Sequence, residues 1–279
     1  MRIVREAYKR EVLPERVLWW LAAAGMRDWY RVLAKKLAPH LAPRDSKELL
    51  ARLSTRMFER RGEVLATSGR DLALVMGALY RVSGDEKARW IFEGIGGPAK
   101  TAAERLRARV LLSRLAIHTR WEEVATHLGE LLIVLTEDLP EHLPHARKIL
   151  GDICFDAGAR YATRMKKVFG IGDVPDPPKA AMELLRMSEY VFRVNPEHWS
   201  ESDGTSGWLE GTACLWWSRP GWNGAHCGIF GQFQSGIASA FGLRYHLSKT
   251  IPKHGGHTCR IDVKPIVLRK KNDPTVPLS

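Results

Sequence analysis

The stretch Trp208–Val263, WLEGTACLWWSRPGWNGAHCGIFGQFQSGIASAFGLRYHLSKTIPKHGGHTCRIDV, decides how this chain is read. It holds three of the four cysteines (Cys214, Cys227 and Cys259), four of the ten tryptophans, nine glycines, and His226, His246, His254 and His257. No other window gathers so many reactive side chains. From Trp208 to Trp217 the mixture of aromatics, Thr, Cys and Leu predicts a half-buried strand, and Arg219-Pro220-Gly221 predicts a turn. Between Gly228 and Tyr245, Ile229, Phe230, Phe233, Ile237, Ala240 and Phe241 recur every three or four residues, which gives a helix one apolar face. Gly242 is the expected stop. Gly231 and Gly236 disfavour helix, so close approach of another backbone or a ligand is their expected reason. Cys259, Ile261 and Val263 then alternate with Arg260, Asp262 and Lys264, the pattern of a strand with one apolar face. Cys227 falls at the start of the helix and Cys259 at the start of the last strand.

Outward from this stretch, Gly170–Pro178 carries three prolines and two glycines in nine residues, the best boundary in the chain. The division expected is a helical domain over 1–170, a linker over 171–178, an α+β domain over 179–268 and a basic tail over 269–279. Lys179–Met187 reads as helix and Tyr190–Val194 as strand, with turns at Asn195-Pro196 and Ser202-Asp203-Gly204. In the first half, apolar stripes at Leu13, Val17, Leu18 and Leu21 and, beyond a break at Gly25, Trp29 to Leu37 predict one or two helices. Further helices are expected at Leu49–Leu65, Asp71–Val82, Thr101–His118, Trp121–Leu135 and Leu143–Phe169, with Cys154 in the core. Gly94–Thr101 superficially resembles a phosphate loop, but it lacks the Gly-Lys-Ser/Thr ending, and Pro98 removes an amide that would hold phosphate. The fold class expected is α+β: a helical half, then an antiparallel sheet with helices.

The charge of +12 and pI near 9.7 are the footprint of a nucleic-acid binder only if concentrated. Here Lys and Arg alternate with Asp and Glu on helical faces, and no nucleic-acid motif accompanies them, so solvated faces are the expectation and nucleic acid is not the expected partner. No run of eighteen apolar residues predicts a membrane span, and charges scattered through the N-terminus argue against a secretory signal. Four cysteines without regular spacing point to a reducing compartment, so a cytoplasmic location is expected. A homodimer is compatible with the sequence.

The run Cys227 to Gly236, followed by Phe241-Gly242 and closed by Gly255-Gly256-His257-Thr258-Cys259-Arg260, resembles the 4-vinyl reductase domain. The closing Gly-x-x-x-Cys with alternating apolar residues is also similar to the end of the L-2-amino-thiazoline-4-carboxylate hydrolase family, whose stand-alone members carry a helical first half. The resemblance covers about sixty residues at the C-terminal end. Sensor members of the first family hold zinc through a first Cys, a Glu-x-x-Cys pair and a final Cys. Cys227 and Cys259 stand at the outer two positions, whereas Ser248 and Ile251 stand at the places of the Glu and the middle Cys. The substitute zinc set is Cys214, Cys227, Cys259 and His254 or His257. A packed role for Cys214 and Cys259 is the plainer alternative.

Two functions follow. The hydrolase resemblance implies ring opening at a C–N bond of a small heterocyclic or carboxylated substrate. Cys227 would be nucleophile, favoured by a helix start, His226 or His257 base, and Arg244 or Lys249 the carboxylate partner. The 4-vinyl reductase resemblance implies instead a binding module for an aromatic or apolar small molecule, lined by Trp208, Trp217, Trp222, Phe230 and Phe233. A structural, partner-binding subunit is a third reading that only the basic helices suggest.

Overall fold

The computed structural model describes residues 6–8, 10–40, 56, 116–169, 175–192, 197–212 and 214–266. The helices expected at Leu49–Leu65 and Asp71–Val82, the Gly94–Thr101 loop and the tail from 269 lie outside the described residues. Among the described residues five helices of 16 to 26 residues and a four-stranded antiparallel sheet make an α+β protein, as the residue patterns indicate.

Helix α1, Glu15–Leu37, follows Pro14 with an acidic residue in its first turn, where the helix dipole favours it. It does not break at Gly25. The reason is steric: a Cβ there would stand 2.7 Å from the Phe192 ring, so the glycine is kept for contact rather than as a stop. Helix α2, Ile117–His142, is one element where a break near Trp121 is expected from sequence. It is buried along almost its whole middle, with Thr126, His127, Glu130, Thr136 and Asp138 inside along with the leucines. Arg219 donates to Thr126 Oγ1 (3.2 Å), and Arg56 pairs with Asp138 (3.0 Å). Helix α3, Ala146–Phe169, buries Leu150, Ile153, Cys154, Ala157 and Ala162, so Cys154 is core as expected.

Helix α4, Pro177–Phe192, opens on two prolines, residues that suit a first turn because their missing N–H groups have no helical partner there. Asp176 accepts from Lys179 N–H at 2.9 Å and closes the end. Part of the expected 171–178 linker is therefore helical. The expected strand at Tyr190–Val194 is the last turn of this helix through Phe192. Val191 and Phe192 complete the face buried by Leu184, Leu185 and Met187, and that burial overrides their β preference.

The sheet has strand order β1-β2-β4-β3, all antiparallel: β1 Glu197–Ser202, β2 Gly207–Thr212, β3 Leu243–Lys249 and β4 Thr258–Pro265. Helix α5, Gly224–Ser239, crosses between β2 and β3, and the short α6, Ile251–His254, joins β3 to β4. The strand expected over Trp208–Trp217 stops at Thr212, because Trp216 leaves the sheet to dock on α2. Its indole N–H donates to Ala125 O at 2.9 Å, and its ring occupies the space where Gly129 has no Cβ. On the inner face, Leu209, Ile261, Val263 and Leu243 are buried against α4 and α5. On the outer face Arg260 lies 4.4 Å over the Trp208 ring and pairs with Glu210 and Asp262. The charges on this face are part-buried and paired with one another.

The start of the chain is tied to this frame. Tyr8 donates to Met187 O (3.1 Å) and Tyr190 donates to Glu11 O (2.6 Å), while Glu11 Oε1 meets His198 Nε2 at 2.7 Å and Arg186 Nε at 3.2 Å. Glu11 has φ of 58°, a conformation unfavourable for a residue with a Cβ that these contacts hold in place.

Helices α3 and α5 pack backbone to backbone. A Cβ on Gly158 would lie 1.9 Å from Phe233 O, and one on Gly236 would lie 2.1 Å from Phe155 O. Neither clash ends on a side chain that can swing away. We therefore expect Gly158→Ala or Gly236→Ala to cost about 3 kcal/mol or more in urea unfolding. Gly228→Ala, on the exposed side of α5 with nothing within 4 Å, should instead stabilise by about 0.5–1 kcal/mol.

Candidate functional site

Helix α5 carries the densest part of the candidate site, and its start is built by local chemistry. Asn223 Oδ1 accepts from Ala225 N–H (2.9 Å), while His226 Nδ1 accepts from Asn223 N–H (3.1 Å), a reciprocal cap. The His226 ring is 2% exposed and stacks on Trp222 at 5.2 Å. With Nδ1 used as an acceptor, the ring proton sits on Nε2. The next residue, Cys227, receives the Trp222 indole N–H on its sulfur at 3.2 Å. Cys259, on β4, receives Ile251 N–H at 3.3 Å.

Between α5 and the sheet, Cys259 lies near enough to Cys214 and Cys227 to raise the energy of their thiolates, and Cys227 near enough to Cys214 to do the same. Burial is the first cause of every shift. It pushes Cys214 from its ordinary 9.0 up to about 12, against the pull of the Trp216 and Trp217 amides. It also pushes Cys227 up against the Trp222 hydrogen bond, and Cys259 up against the Ile251 amide. All three are free thiols. Beside them runs a polar chain that no residue pattern singles out: Tyr245 donates to Gln234 Oε1 at 2.8 Å, and Gln234 Nε2 donates to buried Glu189 at 2.8 Å. Burial, then Glu189, holds the Tyr245 phenol protonated. Gly231 makes room for its hydroxyl, 2.9 Å from where a Cβ would stand.

The remaining predicted residues are dispersed. His254 Nδ1 accepts from Thr250 N–H at 3.0 Å and closes α6, and His257 is exposed on the turn before β4. Among the described residues no group of three His, Cys, Asp or Glu side chains is placed to hold a metal ion, so Cys214, Cys227, Cys259 and His254 as they stand do not form a zinc site. Arg244 is exposed opposite Lys264, and Lys249 donates to Thr258 Oγ1 (2.7 Å) and lies 3.8 Å from Glu210. Trp208 belongs to the outer sheet face, Trp217 is 44% exposed, and Trp222 is buried under His226.

Phe230 and Phe233 do come together, stacked at 5.7 Å, with the Phe230 ring edge-on to Trp216 at 4.6 Å. They form one end of a cavity of about 440 Å³. Its other walls are Val17, Trp20, Leu21 and Ala24 of α1, then Ala157, Tyr161, Met165 and Phe169 of α3, with Val191 and Phe192 closing α4. Both long helices contribute positions three and four apart, one stripe each. The polar groups on this lining are few: the phenols of Tyr8 and Tyr161, 3.4 Å apart, and Arg160 and Arg164. Burial drives both phenols up, so they remain neutral donors. The stripes were legible from sequence, whereas the gap between them was not. Arg160 and Arg164 gave no signal beyond being two charges among many.

Comparison of the chain with protein-family models, with curated proteins and with solved structures finds no significant match. Among the described residues no helix is long and apolar enough to cross a membrane.

A thiol whose folded pKa lies above its unfolded value supports the fold below the unfolded pKa and loses that support as pH rises towards the folded one. For Cys214 that window runs from about 9 to about 12. We expect unfolding free energy to fall across it, and Cys214→Ala to remove part of the slope in pH-dependent urea titrations; an unchanged slope would place the alkaline loss on other groups.

Proposed function

We propose that the protein is a binding module for an aromatic or apolar small molecule, held between α1, α3 and the Phe230–Phe233 end of α5. The observation that supports this is the cavity itself. Its volume of about 440 Å³ is in the range of small-molecule sites, and its lining is apolar and aromatic with a few placed polar groups. A well-packed interior leaves few voids larger than a water molecule, so a hollow of this size calls for an occupant. The binding-module reading matches what the 4-vinyl reductase resemblance implies in ligand class. The lining differs from the one expected: of the five residues anticipated, Phe230 and Phe233 contribute, and the rest of the wall comes from the helical first half. Cys227 and Cys259 then serve the sheet side of α5 as half-buried, hydrogen-bonded thiols.

The uncharged fluorophore N-phenylnaphthylamine is expected to bind with one-to-one stoichiometry and a blue-shifted emission. Ala24→Phe, which places a ring in the hollow from the α1 side, should abolish the signal while the circular dichroism spectrum is retained. Emission that is absent from the native protein, or unchanged in the variant, would sink the reading.

One observation favours a second reading, in which the protein opens a thiazoline-type ring with Cys227 as nucleophile. Cys227 lies in the first turns of α5 with the Trp222 N–H on its sulfur, and both features favour thiolate. Burial opposes them and prevails at neutral pH. His226, with Nδ1 spent on the helix cap and its proton on Nε2, does not act as the base towards the thiol, so the base in this reading is His257. If this reading holds, the purified protein hydrolyses 2-amino-thiazoline-4-carboxylate with a rate that climbs with pH, and Cys227→Ala removes turnover with little change in melting temperature; a rate that survives that substitution excludes Cys227 as nucleophile.

A further inference from the structure

We infer that the occupant of the cavity is an aromatic or apolar molecule bearing a neutral hydroxyl, a phenol or an alcohol, and that this hydroxyl donates its hydrogen bond to Tyr161 Oη. The inference rests on the binding-module reading and specifies the ligand class within it.

The direction of a hydrogen-bonded chain carries it. Tyr8 and Tyr161 both belong to the lining, and their hydroxyl oxygens are 3.4 Å apart. Tyr8 Oη is also 3.1 Å from the carbonyl oxygen of Met187 on α4. A carbonyl only accepts, so the proton between those two oxygens is the one on Tyr8. Without it, lone pairs would face each other around a side chain that is 1% exposed, where an unanswered polar group is costly. A hydroxyl has one proton to give. With that proton committed to Met187, Tyr8 meets Tyr161 as the acceptor and Tyr161 donates. The chain therefore runs one way, from Tyr161 through Tyr8 to the main chain of α4, and what it leaves towards the hollow is the acceptor side of Tyr161 Oη.

Tyr8 and Tyr161 make no other hydrogen bond among the described residues. Packing places the two oxygens: the Tyr161 ring lies against Phe233 at 5.8 Å and the Tyr8 ring against Phe169 at 5.6 Å, all four residues being part of the wall. Burial keeps both phenols protonated, so neither offers an oxyanion that would call for a cation. An ammonium would have to shed its water against a wall of carbon, and an ether or ketone would set acceptor against acceptor. A neutral O–H on a ring or hydrocarbon body completes the chain at no such cost.

The test uses 2-naphthol and 2-methoxynaphthalene, which share a ring system and differ in whether the oxygen carries a proton. Both are measured at neutral pH, where naphthol is uncharged, by displacement of N-phenylnaphthylamine from the wild type, Tyr161→Phe and Tyr8→Phe. The wild type is expected to bind 2-naphthol about tenfold more tightly than the ether, the scale of one buried hydrogen bond made or refused. Tyr161→Phe keeps the ring, should remove most of that preference and should leave the ether within about twofold. Tyr8→Phe supplies a readout that a purely structural role would not move: it releases the Tyr161 proton to turn towards the ligand, so the ether gains and the preference shrinks. Equal affinity for the two compounds in the wild type, or a preference that survives either substitution undiminished, overturns the hydroxyl assignment while the cavity reading stands. Failure of N-phenylnaphthylamine to bind, or binding that Ala24→Phe does not disturb, overturns the cavity reading and this inference with it. Melting temperature checks that both variants fold, and if Tyr8→Phe does not, the Tyr161→Phe comparison decides alone.

Discussion

The contact on which the molecule depends is the crossing of α3 and α5, where two glycines let main chain touch main chain. Gly158 faces the carbonyl of Phe233, and Gly236 faces the carbonyl of Phe155. With any side chain at either place the helices would separate, and α5 would lose the position that defines its two sides. One side, carrying Cys227, Gly231 and Gln234, meets the sheet through Tyr245. The other, carrying Phe233, meets α3 and the hollow behind it. A single continuous core passes through α1, α2, α3, α4, α5 and the sheet, so the helical first half and the C-terminal sheet are packed as partners.

Much of the C-terminal stretch was legible, since period two and period 3.6 are distinct signals when apolar residues carry them. The alternation around Ile261 and Val263 specifies β4, and the spacing of Ile229, Phe233 and Ile237 specifies α5. Strand β3 was hidden because Phe241 and Tyr245 continue a helical spacing past Gly242, whose φ of 70° in fact turns the chain into the sheet. Strand β1 was hidden for the opposite reason. Its inward residues are His198, Ser200 and Ser202, polar groups answered by Glu11 and Asp176, so no apolar alternation announces it. At Tyr190–Phe192 local β preference misleads, because burial on α4 decides the outcome.

The candidate site divides the same way. Cys227 near a helix start and Cys259 near a strand start stand where the sequence puts them, whereas Cys214, expected within a strand, lies beyond the end of β2 at Thr212. Phe233 and Cys227 stand on different faces of α5: at 3.6 residues per turn, Cys227 and Gln234 share a face that Phe233 leaves by about a third of a turn. A cavity is harder still to read, since it is what two correct apolar stripes leave unfilled. Its electrostatics are simple once seen, with neutral phenols inside and arginine at the rim. The thiol layer is electrically distinct, its groups kept protonated by burial beside a hydrogen-bonded Tyr245–Gln234–Glu189 chain.

The N-terminal segment has a wider reach than its length suggests. Tyr8 and Leu13 belong to the wall of the hollow, while Glu11, between them, is bound to His198 of the edge strand, 187 residues away along the chain. The segment is thus a tie bar from the first helix to the far rim of the sheet. A protease cut just before α1 would unseat one wall of the hollow and strip a charge from the sheet margin in the same event, so the integrity of the hollow and the anchoring of the sheet edge are lost or kept together.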